Sequence, residues 1–184
     1  MSITFESALC WCLMQHDSVV FFSASPDLFR QAASAFEMHR HTILRLVPDA
    51  EVHHVGSTAM PGLLTKGDLD ILVRVDGNRF AEAEALLAST FERNYESDRS
   101  STFASFMSKN LTPPLGIQVT TKCGEFDFFI EFSSALKRDC VLLAEYARLK
   151  AAFQGRSMKD YRVAKDAFIE RVLAQASVMS AKKY

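Results

Sequence analysis

The amino-acid sequence predicts an α+β domain, and three observations lead to that fold class. A helical pattern of apolar residues follows Ser25, a group of strand-like runs occupies the centre of the chain, and a helical pattern returns from Phe126 onwards. Each segment is recognised by the spacing of its apolar residues and by the turn residues that bound it. Strands grouped between helical segments are typical of an α+β arrangement.

Length and composition limit the possible classes of protein. A chain of 184 residues favours one domain, and its 48% hydrophobic content with 15 Phe argues against disorder. The net charge of −1 gives no general attraction to nucleic acid or to an anionic membrane, and no apolar run approaches the ~20 residues of a membrane span. The apolar run Ala8–Met14 lacks the basic start of a signal peptide. We therefore expect a cytoplasmic protein with buried or reduced thiols at its four cysteines, Cys10, Cys12, Cys123 and Cys140.

The first helix is predicted by its start signal and by its periodicity. Ser25-Pro26-Asp27 supplies a capping side chain, a proline at the first helical position and an acid in the first turn. Apolar residues then recur at three- and four-residue steps as far as Val47, and Pro48 ends the helix. Residues 1–24 form an N-terminal extension, in which Val19 to Phe22 is either a short strand or an apolar tether.

The centre of the chain is predicted to hold the sheet. One strand runs from about Ala50 to Val55 and the next from about Asp68 to Val75, with a Gly/Pro-punctuated loop between them. Asn78 is expected to cap a helix that continues to about Ser89. Three shorter β-like runs follow: Phe91 to Tyr95, Ser101 to Met107 and Ile117 to Thr121.

Two helices are predicted at the C-terminal end. Asp139 opens a helix that ends near Phe153 and is stopped by Gln154-Gly155. Ser157 caps the last helix, which runs to about Ala176. The predicted domain therefore covers residues 25–176, and residues 177–184 form a tail.

Asp68 and Asp70 are the first candidates for a functional site. Alternation along a strand places both carboxylates on one face and Leu69, Ile71 and Val73 on the other. Neighbouring ionised carboxylates repel each other, and folding does not require such a pair. Because Mg²⁺ bound to substrate phosphates uses paired carboxylates with open coordination positions, the pair indicates phosphoryl-transfer chemistry or its remnant, with Mg²⁺ or Mn²⁺ as cofactor.

The segment before these acids resembles a known signature. Gly56-Ser57, followed at a ten-residue spacing by Asp68-Leu69-Asp70-Ile71, is similar to the motif of the DNA polymerase β-like nucleotidyltransferase superfamily. The longer string VGSTAMPGL from Val55, with Lys66 and the DLDILV strand in phase, resembles the GrpB-like family of that superfamily. The resemblance runs from about Leu28 to Leu173 and implies a nucleotidyltransferase-like mixed sheet flanked by helices, with a helical C-terminal part.

The resemblance also implies roles for individual residues. Gly56 would let the backbone approach a phosphate, and the hydroxyl and backbone N–H groups of Ser57 and Thr58 would cradle its oxygens. Asp68 and Asp70 would hold the metal on the triphosphate, and Lys66 lies near enough in sequence to meet phosphate charge. The string is not a P-loop, because no Gly-Lys-Ser/Thr follows it.

Two lysines of the C-terminal helices are further candidates. Tyr146 and Lys150, like Tyr161 and Lys165, stand four residues apart and therefore share a helix face. Our hypothesis is that Lys150 and Lys165 close the cleft over the phosphates or contact the acceptor. Tyr146 is expected to pack inward, with Lys150 at the rim. The alternative is a snorkelling lysine beside a core tyrosine.

The chain departs from the family pattern on the strand after Pro114. Active superfamily members place a third carboxylate there, whereas this chain has Gly116 and the neutral Gln118. The family's Phe-Arg-Asp run appears here as Phe132-Ser133-Ser134. Asp127 and Glu131 remain candidates to replace the missing acid.

Three interpretations of function follow from these residues. The first is a protein that binds a nucleoside triphosphate with Mg²⁺ and transfers a nucleotidyl group to a small molecule or a protein. The second is a catalytically impaired nucleotide- or phosphometabolite-binding regulatory module, which Gln118 favours, and the third is a partner-binding subunit with a vestigial cleft. No basic stripe with interleaved aromatics is present, so a nucleic-acid acceptor is not expected, and the oligomeric state is left open.

Overall fold

A computed structural model describes residues 18–97 and 99–181 of the chain, with the side chains of 176–181 excepted. Predictions for residues 1–17, for Cys10 and Cys12 and for 182–184 lie outside these residues. Among the described residues, no helix is both long and apolar enough to cross a bilayer.

The strands are β1 (Val19–Val20), β2 (Glu51–Val55), β3 (Leu69–Val75), β4 (Phe103–Ser108), β5 (Leu115–Thr121) and β6 (Arg156–Ser157). The α-helices are α1 (Pro26–Leu46), α2 (Phe80–Ala88), α3 (Phe129–Arg138), α4 (Cys140–Ala152) and α5 (Met158–Ala181).

The main sheet is mixed and has the strand order β2-β3-β5-β4. β2 is antiparallel to β3, with Val55 opposite Asp70, and β3 is parallel to β5, with Asp70 opposite Gly116. β4 is antiparallel to β5, with Ser105 opposite Gln118. The predicted fold class, a mixed sheet flanked by helices with a helical C-terminal part, is confirmed.

Alternation along the strands separates the core from the cleft. Leu69, Ile71 and Val73 are fully buried in one cluster with residues of α1 and α2, which cover that face of the sheet. The opposite face carries Asp70 and Gln118 and lies against a cleft whose other wall comes from α3, α4 and α5. The sheet therefore buries its apolar side and presents its polar side to the C-terminal helices.

The predicted helix starts are confirmed by their capping contacts. The Ser25 hydroxyl accepts a hydrogen bond from the Asp27 N–H, and α1 begins at Pro26. The Asp139 carboxylate accepts hydrogen bonds from the N–H groups of Val141 and Leu142, and α4 begins at Cys140. The last helix extends to Ala181 rather than ending near Ala176.

Two local predictions are wrong. Asn78 does not cap a helix, because it lies inside the 3₁₀ turn Gly77–Arg79 and α2 begins afterwards with no side-chain cap. The run Phe91 to Tyr95 is not a strand of the sheet and makes only an isolated bridge, between Arg93 and Phe106. Backbone hydrogen bonds on both sides of that bridge hold this segment against β4, so the segment covers the edge of the sheet.

A two-stranded sheet joins the N-terminal segment to the C-terminal helices. β1 pairs antiparallel with β6, so the short-strand alternative for Val19 to Phe22 is partly confirmed, at Val19–Val20. The Phe22 N–H donates to Gln154 Oε1 at 2.8 Å, and the Phe22 ring meets the Tyr161 ring edge-on at 5.0 Å. These contacts place Phe22 beside the cleft.

Candidate functional site

The turn after β2 brings Gly56 against Asp70. Gly56 has φ +72°, a conformation that side-chain-bearing residues rarely adopt, and a Cβ placed there would lie 2.3 Å from Asp70 Oδ2. The 3₁₀ turn Ser57–Ala59 follows and carries the chain away from the sheet. The backbone at Gly56 therefore approaches the Asp70 carboxylate as closely as only glycine allows.

The two carboxylates of the cleft lie in different electrostatic surroundings. Lys66 Nζ is 2.8 Å from Asp68 Oδ2. Burial alone would raise the pKa of Asp68, but the charge and hydrogen bond of Lys66 hold it below its usual value. Burial and then the neighbouring Asp68 charge raise the pKa of Asp70 to about 7. One acid is therefore ionised at neutral pH while the other titrates there.

Lys150 is enclosed at the centre of the cleft. Its side chain is 2% exposed, and its ammonium donates a hydrogen bond to the Ser57 hydroxyl. The same ammonium lies 5.0 Å from the centre of the Tyr146 ring and 5.2 Å from that of Phe22, within cation–π range. Burial and the Lys165 charge lower the pKa of Lys150 to about 7. The rim position expected for this lysine is therefore wrong, since its charged end is buried.

Cationic residues from three elements converge on the acid pair. Lys66 lies in the loop before β3, Lys150 on α4 and Lys165 on α5, and all three line the cleft with Asp68 and Asp70. The charges of Lys66, Lys165 and Lys150 each act to lower the pKa of Asp70. Three ammonium groups around two carboxylates leave an excess of positive charge, which suits an anionic ligand.

Thr58 takes a position different from the one expected. It is 3% exposed, and its hydroxyl donates to the backbone carbonyl of Asp68 at 2.9 Å. His54 Nε2 lies 3.0 Å from the same hydroxyl and acts as the donor, since the hydroxyl proton is already used. Burial, and then the Lys137 charge, lower the pKa of His54 to about 4, so this histidine is neutral. The Thr58 side chain thus holds the loop together instead of facing the cleft.

β5 lies beside β3, as the family resemblance implies, but it brings no third acid. Among the described residues that line the cleft, Asp68 and Asp70 are the only carboxylates. Asp127 instead binds the Arg74 guanidinium through two contacts, at 2.5 and 2.6 Å, and accepts from the Cys123 N–H. Glu131 is exposed on α3 outside the cleft lining. Neither candidate replaces the missing acid.

Two cleft residues, Tyr161 and Arg162 on α5, were absent from the candidates. Burial, and then the neighbouring Tyr146, raise the pKa of Tyr161. Arg162 precedes Lys165 by three positions, so both share one helix face. That spacing is the signal from which Arg162 could have been inferred once Lys165 was placed at the site.

The acid pair can be tested against the needs of a divalent cation. Mg²⁺ in phosphate-binding sites is held by one or two carboxylates together with substrate phosphates and water. Asp68 and Asp70 offer adjacent carboxylates. Burial, and then the Asp68 charge, raise the pKa of Asp70, and a cation would relieve the repulsion between the two acids. No group of three His, Cys, Asp or Glu in residues 18–97 and 99–181 could hold an ion by itself. The two carboxylates therefore fit one ion whose remaining ligands come from a bound polyphosphate and water.

The polar face of this mixed sheet therefore holds an acid pair against a glycine turn, in a cleft that the C-terminal helices close. The chain belongs to the GrpB family, since the family model described as GrpB protein matches residues 28–175. A UPF0157 protein of Vibrio cholerae serotype O1 is 36% identical over 166 residues, which cover 90% of this chain and 87% of that protein.

Two solved structures are similar to this chain to different degrees. The crystal structure of the conserved protein GrpB from Enterococcus faecalis superposes with a TM-score of 0.64 at 21% identity, over 83% of this chain and 93% of that one. The MgGTP-bound crystal structure of the Cid1 poly(U) polymerase matches with a TM-score of 0.44 at 18% identity, over 69% of this chain and 44% of that one. The first likeness supports the predicted architecture across most of the chain.

Proposed function

We propose that the cleft binds a nucleoside triphosphate together with Mg²⁺ or Mn²⁺ and transfers its nucleotidyl group to a small molecule or a protein. The observation that carries the proposal is the seating of Asp70 against Gly56 within reach of three lysine charges. A carboxylate pair surrounded by ammonium groups suits a ligand that brings both a cation and several negative charges. A metal-bound polyphosphate is such a ligand.

The phosphates would be held beside the glycine turn. Gly56 leaves the backbone open to close approach, and the Ser57 hydroxyl is already held by the Lys150 ammonium. Lys165 adds a second charge from α5. Lys66 is bound to Asp68 in the free protein, so a cation that replaced it there would release its ammonium to a phosphate oxygen.

The metal would lie on Asp68 and Asp70, where it would supply charge neutralisation of the phosphates and activation of the attacking oxygen. Lys150 and Lys165 would stabilise the negative charge that develops on the leaving pyrophosphate. Tyr146 and Phe22 would keep water from the Lys150 ammonium, which strengthens its attraction to that charge.

A second candidate function is a regulatory module that binds a phosphometabolite without turnover. The missing third carboxylate favours it, because the loss of a general base commonly costs ~10²- to 10⁴-fold in rate. The Lys66–Asp68 ion pair favours it too, since Lys66 already neutralises part of the acid pair. In this case the lysines would bind phosphate without a metal.

Calorimetric titration with ATP, GTP, CTP and UTP, each with and without MgCl₂, separates the candidates. Magnesium-dependent binding that weakens at least tenfold in Asp70→Asn supports the first. The matched control is Asp127→Asn, which removes a carboxylate outside the cleft and should leave binding unchanged. Binding that is indifferent to Mg²⁺ favours the second candidate, and no binding of any nucleotide contradicts the first. Pyrophosphate release with added acceptors then tests transfer.

A further inference from the structure

Gln118 carries an amide oxygen that lacks a partner inside the cleft. The side chain is 9% exposed, and Gln118 Oε1 is buried with no hydrogen-bond partner among the described residues. An unsatisfied buried polar group lowers the stability of the folded state, so folded proteins rarely keep one without a reason. Because this residue lines the cleft, a donor on a bound ligand is the partner that its position favours.

Its position relative to the acid pair follows from the sheet register. Asp70 on β3 is opposite Gly116 on β5, and Gln118 stands two residues further along the same face. Two residues of strand span ~7 Å, and neighbouring strands lie ~5 Å apart. Gln118 is therefore within the length of one small molecule of the acid pair.

The part of the cleft around Gln118 is aromatic. Phe103 comes from β4, Phe129 and Phe132 from α3, and Ile169 from α5, and all four line the same cavity as Gln118. These four side chains belong to one hydrophobic cluster, and Phe103 stands two residues before Ser105, which is opposite Gln118. The lysines and the acid pair line the same cavity, which thus combines charged groups, suited to phosphates, with an apolar cluster beside an unpaired amide oxygen.

We propose that the lining around Gln118 is the nucleobase subsite, in which a planar base lies among the aromatic side chains and donates an N–H hydrogen bond to Gln118 Oε1. This inference rests on the proposed function, because it assigns the second half of the same ligand. A nucleoside triphosphate carries phosphates at one end and a flat ring with N–H donors at the other. One such molecule therefore suits both the charged groups and the apolar cluster of the lining.

The experiment compares Mg²⁺ complexes of inorganic tripolyphosphate and of the four nucleoside triphosphates in the wild type and in Gln118→Met. Methionine keeps the length of the side chain and removes the amide. In the wild type, at least one nucleotide should bind ten times more tightly than tripolyphosphate. In Gln118→Met that nucleotide should lose at least tenfold in affinity, while tripolyphosphate should bind as before.

The outcomes separate this inference from the proposed function. The base subsite is overturned if tripolyphosphate binds as tightly as every nucleotide in the wild type. It is also overturned if the ratio of nucleotide affinity to tripolyphosphate affinity is the same in Gln118→Met as in the wild type. Either result leaves the proposed phosphate site unaffected. Failure of all five ligands to bind overturns both. The melting temperature of Gln118→Met should not fall, because the replaced amide oxygen had no partner. A marked fall would assign Gln118 a structural role and would also overturn the inference.

Discussion

Gly56 and Asp70 lie so close together that a single methyl group at Gly56 would meet the Asp70 carboxylate, at 2.3 Å from Oδ2. The antiparallel pairing of β2 with β3 sets this distance, because Val55, the last residue of β2, is opposite Asp70. The position of the carboxylate and the conformation of the turn therefore depend on each other.

Replacing Gly56 with alanine should displace Asp70 and weaken magnesium-dependent nucleotide binding at least tenfold. The positive φ adds a backbone cost of about 1 kcal/mol in unfolding free energy. Gly62→Ala is the matched control, since Gly62 also has positive φ (+88°) but no described atom within 4 Å of its Cβ position. Titration calorimetry and thermal melting of both variants separate the clash from the strain. Equal losses of affinity in the two would contradict the prediction.

Lys150→Met should stabilise the protein while it weakens phosphate binding. The buried lysine has its pKa lowered to about 7, so at or below pH 7 folding leaves a charge in an enclosed site. Removing that charge should raise the unfolding free energy by about 1–3 kcal/mol near pH 7. Between pH 7 and 10.5 the unfolded chain binds more protons than the folded one, so wild-type stability rises with pH and the advantage of the variant shrinks. Denaturant unfolding at pH 6.5 and 9.5 measures the difference in unfolding free energy between the variant and the wild type. A variant that is less stable than the wild type at pH 6.5 would contradict the prediction.

Binding of phosphate should respond to pH in opposite directions with and without Mg²⁺. Between pH 6 and 8 Lys150 loses its proton and Asp70 gains a negative charge, because both have a pKa of about 7. Tripolyphosphate affinity without metal should therefore fall across this range, and affinity with Mg²⁺ should rise as Asp70 ionises. Titrations in Lys150→Met give the control, since the part of the metal-free fall caused by that lysine should vanish. Parallel pH profiles under both conditions would count against the assignment of Asp70 to the metal.

Asp127→Asn should affect stability and leave the cleft intact. Asp127 makes two contacts to Arg74, which also pairs with Glu51, so neutralising it breaks a partly buried ion-pair group. We expect a loss of about 1–3 kcal/mol in unfolding free energy and unchanged nucleotide affinity. Chemical denaturation and titration of the same preparation test both halves. If nucleotide affinity falls under conditions in which the variant is fully folded, Asp127 contributes to the binding site and the prediction is contradicted.

The local parts of the site could be predicted from the sequence. β2, the glycine turn and β3 are neighbours in the chain, and alternation on β3 assigns Asp70 and Leu69 to opposite faces without knowledge of the rest of the fold. The caps Ser25 and Asp139 are equally local, since each side chain binds N–H groups two or three residues away. Asn78 shows the limit of such signals, because the chain forms a 3₁₀ turn there before α2 begins.

The long-range parts could not be predicted in the same way. The bond between Lys150 and Ser57 joins residues 93 positions apart, and the one between Phe22 and Gln154 joins residues 132 apart. Spacing on α4 shows which residues share a face, but not whether that face is a rim or an interior. The burial of Lys150 and the unpaired oxygen of Gln118 arise only when the C-terminal helices close over the sheet.

The pairing of β1 with β6 has a consequence for where the functional unit begins. Phe22 lies ahead of residue 28, where the match to the family model starts, yet its ring forms part of the enclosure of the Lys150 ammonium. A shortened chain that began at Ser25 would keep the region matched by the family model and lose the Phe22 ring beside the Lys150 ammonium. Water would then reach the lysine, and its acidity would return toward that of a lysine in solution. The ionisation of the cleft is thus tuned from outside the segment that the family model matches.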